Sequence, residues 1–182
     1  MKILSSLFTG VVLLGLMGCN VLPEPQGDTV RYFTFGAVPA SATSDGPTVR
    51  PVHLAGHLRN RAMAVRVGEN EVIYLDDVHW AESLSDAVTQ LLRARLASVN
   101  GNHLVSVQIQ RLELVRFEGN AVQLAATYTI LSPGDHAVAQ RSVFTASPRT
   151  WDGKDYGVLV GQLKEAINEL GDSIAAALDA RK

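Results

Sequence analysis

The chain has 182 residues, 47% of them hydrophobic and 19% charged, with a formal net charge of −2. That length supplies one ordinary core and no second one, and the charge gives no electrostatic reason for a nucleic-acid partner. One cysteine excludes an internal disulfide framework.

Position explains the cysteine. Met1-Lys2 is a minimal positive region, Ile3 to Leu16 is mostly apolar, and Leu16-Met17-Gly18 leads directly into Cys19. The apolar run is shorter than the roughly 18–20 residues of a membrane span and is followed by polar sequence, as in a bacterial lipoprotein signal peptide. The expected organisation is a signal peptide over residues 1–18, a lipidated tether over 19–29 and one domain over 30–182. Cys19 would then carry the acyl chains, each buried methylene adding about 0.8 kcal/mol to anchoring. Asn20 follows, where lipoprotein sorting in Gram-negative cells uses Asp to favour inner-membrane retention. Outer-membrane residence facing the periplasm is expected. Pro23, Pro25 and Gly27 fit a tether.

Val30 to Phe35 alternates as a first strand, and Pro39 to Pro51 has loop composition. Val52-His53-Leu54 adds a few extended residues. Ala62–Val67 and Glu71–Leu75, joined by Gly68-Glu69-Asn70, form a hairpin by pattern. Asp76-Asp77 then read as turn and cap residues, with Trp80-Ala81-Glu82 leading into a helix. Ser83 with Asp86 fits a capping box for a later start. Leu84, Val88, Leu91/Leu92, Leu96 and Val99 place an apolar stripe on that helix, with Gln90, Arg93 and Arg95 on its polar side. Gly101 stands where a left-handed residue ends a helix.

Val105, Val107 and Ile109 alternate, then Leu112 and Leu114 do so in shifted phase, which predicts a bulge near Arg111. Glu118-Gly119-Asn120 is a turn, and Val122 to Ile130 is the cleanest period-two run in the chain. Ser132 to Asp135 turns again into a strand over Val138–Ala146. Finally, Leu159, Leu163, Ile167, Leu170, Ile174 and Leu178 mark a long amphipathic helix, with Asp152 and Asp155 before its positive end. The predicted fold is α+β: a largely antiparallel sheet with two amphipathic helices packed on one face, a two-layer sandwich.

Catalytic patterns are weak. No Gly-x-Ser-x-Gly elbow, phosphate loop or His-Glu-x-x-His spacing occurs. His53, His57, His79, His103 and His136 read as solvated loop or element-end histidines. Trp80 has two readings, a core residue under the helix or an anchor for a partner protein.

The run Arg61…Ile73-Tyr74…Trp80-Ala81-Glu82-Ser83-Leu84 resembles the ABC-type transport auxiliary lipoproteins, the family of the paraquat-inducible lipoprotein component. Arg116-Phe117-Glu118 corresponds to a strand motif of that family, and Asp155-Tyr156 with the following helix to its C-terminal signature. The resemblance implies a non-enzymatic accessory subunit, without catalytic residues, cofactor or metal. It would serve an intermembrane phospholipid-transport system, docking a mammalian-cell-entry (MCE) domain protein and its permease complex, with a homo-oligomer among the arrangements allowed. Arg61, Tyr74, Trp80 and Glu82 are the partner-binding candidates, although an internal Arg61–Glu82 pair would satisfy both charges without a partner. A lipid- or small-molecule-binding lipoprotein with a cleft between sheet and helices, and a periplasmic hydrolase with an unfamiliar site, stay open as other classes.

Overall fold

The computed structural model describes residues 29–37, 46–135 and 137–180. Cys19, the signal peptide, nearly all of the tether and His136 lie outside the described residues. The elements are β1 (Arg31–Phe33), β2 (Thr48–Val49), β3 (His53–Leu54), β4 (Ala62–Gly68), β5 (Glu71–Trp80), α1 (Leu84–Leu96), β6 (Leu104–Val115), β7 (Ala121–Leu131), β8 (Val138–Thr145), β9 (Arg149–Thr150) and α2 (Tyr156–Asp179). A 3₁₀ turn, Gly56–Arg59, precedes β4.

The fold is the expected α+β arrangement of one sheet and two helices. Sheet order is β1-β5-β4-β6-β7-β8. The long contacts are antiparallel: β4 with β5, β6 with β7, and β7 with β8. The short ones are parallel. β1 runs beside β5, while β2, β3 and β4 in turn occupy one edge of β6.

The predicted bulge lies in β6, where the register against β7 shifts between Ile109 and Arg111. It keeps Val105, Val107, Ile109, Leu112 and Leu114 on one buried face. β7 answers with Val122, Leu124, Ala126, Tyr128 and Ile130, all buried. The β6–β7 turn brings Gly119 and Asn120 to φ 75° and 58°, the left-handed pair that suits a tight hairpin. One expectation fails here. Arg116-Phe117-Glu118 is not a strand: β6 ends at Val115, and the Gly119 N–H donates to the Arg116 carbonyl at 3.2 Å, which curls the chain into the turn.

The helices cover the apolar face side by side. Helix α2 buries Leu159, Leu163, Ile167, Leu170 and Ile174, and Ser173 Oγ lies 3.4 Å from Tyr128 Oη of β7. Asp155 caps it, accepting from the Gly157 N–H at 2.7 Å. Helix α1 is tied to the loop between β2 and β3. Buried Thr89 accepts from the Val52 N–H at 2.9 Å, and Ser85 Oγ donates to the Val52 carbonyl. Arg93 belongs to the polar side of α1 in the sequence, yet its guanidinium donates twice to the Val49 carbonyl, at 3.2 and 3.0 Å. The two helices touch at Gly171, where an added Cβ would stand 2.7 Å from Arg95 Cγ.

Ile167→Ala is expected to cost about 2–5 kcal/mol in urea denaturation, since its side chain is fully enclosed. Gln90→Ala, on the exposed side of α1, should stay within roughly 0.5 kcal/mol. Equal effects at the two positions would contradict the two-layer packing. Gly171→Ala separates two opposing terms: helix propensity gains about 1 kcal/mol, but overpacking against Arg95 costs about 1–3 kcal/mol. A net loss is expected.

Candidate functional site

The candidate site is the junction from β5 into α1. Between the pairs Ala64↔Tyr74 and Ala62↔His79, β5 uses more residues than β4. The surplus forms a bulge around Leu75–Val78, which the strand absorbs without ending. That corrects the reading of Asp76 and Asp77 as turn and cap residues. Both lie inside β5, and Asp77 Oδ2 pairs with Arg31 of β1 at 3.0 Å. Helix α1 starts later, with Ser83 accepting from the Asp86 N–H at 3.4 Å.

Beyond the bulge, β5 is gripped on both edges. The Trp80 N–H donates to the Arg61 carbonyl at 2.8 Å, and Phe33 is its register partner in β1. The indole is 4% exposed and its ring centroid is 5.3 Å from that of Phe35. Trp80 is therefore a core side chain in the isolated protein. Arg61 turns outward above it. Its Nε donates to the Trp80 carbonyl at 3.4 Å, and its guanidinium carbon lies 5.6 Å from the Tyr32 ring centroid. Tyr32 is 50% exposed and meets His79 edge-on at 5.8 Å.

Arg61 and Glu82 both line an open cleft of about 790 Å³ between the β3–β4 segment and the start of α1. Among the described residues they do not pair with each other; Glu82 stays exposed. The cleft floor is apolar, built from Val52, Leu54, Leu58 and Leu84, which are already buried. Tyr74 is exposed but sits on the other side of the bulge, in register with Ala64. The structure thus gathers Arg61, Trp80 and Glu82 and leaves Tyr74 apart. It adds Tyr32, an aromatic residue in the alternating first strand that carried no motif of its own.

A second cluster lay beyond the sequence reading. Glu113 of β6 has a fully enclosed carboxylate. Arg66 Nε of β4 donates to it at 2.6 Å, and His57 Nε2 of the 3₁₀ turn lies 3.0 Å from its other oxygen. His57 is therefore a partnered histidine and not a solvated one. The two partners satisfy both carboxylate oxygens, the condition for burying such a charge. Arg66 Nη1 also donates to the Glu69 carbonyl at 3.1 Å. This cluster joins the 3₁₀ turn, β4, the β4–β5 turn and β6. The remaining histidines lie apart from it: His53 lines the cleft and His79 meets Tyr32.

The family model described as "ABC-type transport auxiliary lipoprotein component" matches residues 35–175 of this chain. No curated protein is similar enough in sequence to count as a relative. Among solved structures, an uncharacterized protein shares the fold at TM-score 0.65 and 13% identity, with 81% of this chain and 97% of that one covered. A Xanthomonas campestris protein follows at TM-score 0.61 and 17% identity, covering 84% of this chain and 96% of its own. At these identities the likeness establishes the shared architecture.

Trp80→Ala should lower unfolding free energy by about 3–5 kcal/mol, because a large aromatic leaves a closed cavity. Glu113→Ala should cost about 3–5 kcal/mol, since it strands Arg66 at the edge of the core. Glu113→Gln, which keeps an acceptor for Arg66, should cost less. Denaturation of the three variants on one preparation checks both; an unchanged midpoint for Glu113→Ala would mean the cluster contributes nothing to stability.

Proposed function

Because the chain belongs to the ABC-type transport auxiliary lipoprotein family, we propose that it is a non-enzymatic accessory subunit of an intermembrane lipid-transport system. Acyl chains on Cys19 hold it on the periplasmic face of the outer membrane, where it docks an MCE-domain protein linked to an inner-membrane permease complex. Family membership supports the association with an ABC-type transport system, and the Leu-Met-Gly-Cys sequence supports the anchor.

The observation that carries the docking reading is the Arg61–Tyr32 stack at the β5–α1 junction. An exposed Arg over a half-exposed aromatic ring is the residue pairing in which interface hot spots concentrate, and covering it by a partner strengthens the cation–π contact. Tyr32 is held in register with His79 of β5, and the Arg61 carbonyl accepts from the Trp80 N–H, so little order has to be gained on binding. Trp80 contributes from below, by fixing that backbone. Glu82 supplies the opposite charge on the same rim, while Tyr74, beyond the bulge, stays outside this surface.

Two measurements test the proposal. Cys19→Ser should leave the fold intact and move the protein from the outer-membrane fraction to the soluble periplasm; continued sedimentation with outer membranes would remove the anchor from the reading. Arg61→Ala should weaken binding to the MCE-domain protein by about 2 kcal/mol, roughly thirtyfold, with melting temperature nearly unchanged. Undiminished binding by an Arg61→Ala/Tyr32→Ala double variant would place the interface elsewhere.

A further inference from the structure

The face of the sheet that the helices leave open carries a polar cleft of about 300 Å³, in the lower range of ligand pockets. Strand register builds it from two adjacent cross-strand rows. Ser106 of β6, Thr129 of β7 and Arg141 of β8 are mutual register partners in one row. His53 of β3, Gln108 of β6 and Thr127 of β7 form the next. Residues two apart on a strand share a face about 7 Å apart, so the rows present their side chains to one spot. Arg59 closes one end; its Nε is fixed at 3.2 Å from the Leu54 carbonyl, which aims the guanidinium from the 3₁₀ turn.

The chemistry of this lining is selective. Two guanidinium groups, two ring nitrogens, three hydroxyls and an amide line the cleft, and no carboxylate does, in a chain whose net charge is −2. Ser106, Gln108, Thr129 and Arg141 make no side-chain hydrogen bond or ion pair among the described residues. Their donors are uncommitted, whereas the other strongly polar cluster on this face, around Glu113, is internally satisfied.

We propose that this cleft binds a phosphate ester. Arg59 and Arg141 approach from opposite sides with planar donor forks, which match phosphate oxygens, and the hydroxyls of Ser106 and Thr129 with the Gln108 amide donate from the floor. Donors from several directions suit a tetrahedral oxyanion better than a planar carboxylate. The ester comes either from a lipid head group or from a soluble metabolite; both present a tetrahedral phosphate with anionic oxygens. The site adjoins the cleft that Arg61 and Glu82 line, sharing His53, Leu54 and Arg59 with it, but does not rest on the docking reading.

Calorimetry of the full acylated chain in a non-ionic detergent, titrated with glycerol 3-phosphate, inorganic phosphate and dihexanoyl-phosphatidylglycerol below its micelle concentration, tests the assignment. Saturable binding is expected that weakens tenfold or more in Arg141→Gln, threefold or more in Thr129→Val, and not at all in Arg116→Gln, an exposed residue of the β6–β7 turn. Arg141 has no side-chain partner among the described residues, so its replacement should leave melting unchanged. Lipid binding at least tenfold tighter than glycerol 3-phosphate identifies a membrane head group, and equal affinities identify soluble phosphate esters. Absence of saturable binding by all three titrants, or Arg141→Gln binding within twofold of the unaltered chain, overturns the proposal.

Discussion

Strand β6 is the constraint on which the rest of the architecture depends. Its twelve residues must find hydrogen-bond partners on both edges, because a buried backbone polar group left unpaired is costly. On one edge β7 supplies them almost without interruption. On the other edge no single long strand is available, and three short segments share the work: β2 at Leu104–Val105, β3 at Gln108–Ile109, and β4 at Leu114–Val115. The Ala55 N–H donates to the Ile109 carbonyl, and the 3₁₀ turn then carries the chain from β3 to β4 past the bulged stretch of β6. Bulge and turn are two halves of one solution. The strand loses regular pairing at the place where its neighbour changes identity.

That arrangement gives the two faces of the sheet different physics. The bulge restores the phase of Leu112 and Leu114, so the helix-facing side stays continuously apolar. The same shift leaves Glu113 on the other face, where the turn delivers His57 and β4 delivers Arg66. A carboxylate there serves as a junction for segments that have little apolar area of their own: β2 and β3 are two residues each. Thr89 performs the corresponding task for α1, joining it to Val52 by a hydrogen bond. The only two buried polar side chains among the described residues, Thr89 and Glu113, thus both fasten the segment between β2 and β4.

What could be read in the sequence was whatever depends on local period. The α2 stripe, the β7 alternation and the β6 bulge each follow from spacing within one element, and the structure has all three. Partnerships across long separations were not legible. Glu113 sits between Leu112 and Leu114 as any solvent-side strand residue would, and its partners lie 47 and 56 positions away. Asp76-Asp77 failed for a related reason. Two adjacent carboxylates in a strand signal a break, and only the register against β4 shows that the break is a bulge inside a strand. Arg93 has the polarity of an exposed position, and nothing local reveals that the Val49 carbonyl waits 44 residues earlier in the chain. For the candidate site, Arg61, Trp80 and Glu82 do converge, because a hairpin and the following helix start bring them together locally; Tyr74 does not, because the bulge intervenes.

The way β1 enters the sheet adds a geometric consequence for an anchored protein. β1 is the first described strand, and it runs parallel to β5 from Arg31↔Val78 to Phe33↔Trp80. The chain therefore passes directly from any anchor on Cys19 into the strand that carries Tyr32, one of the two members of the exposed Arg61–Tyr32 stack. The thirteen residue steps from Cys19 to Tyr32 reach at most about 45 Å when extended. With Cys19 acylated as proposed, the stack stays within that distance of the lipid surface whatever path the tether takes. Thr127 and Thr129, by contrast, lie on β7, three strands away from β5 across β4 and β6, or about 14 Å at the usual strand spacing. The two surfaces are nevertheless neighbours, because His53, Leu54 and Arg59 line both the cleft that holds Arg61 and the polar cleft, so whatever covers the Arg61 side bears on the edge of the other.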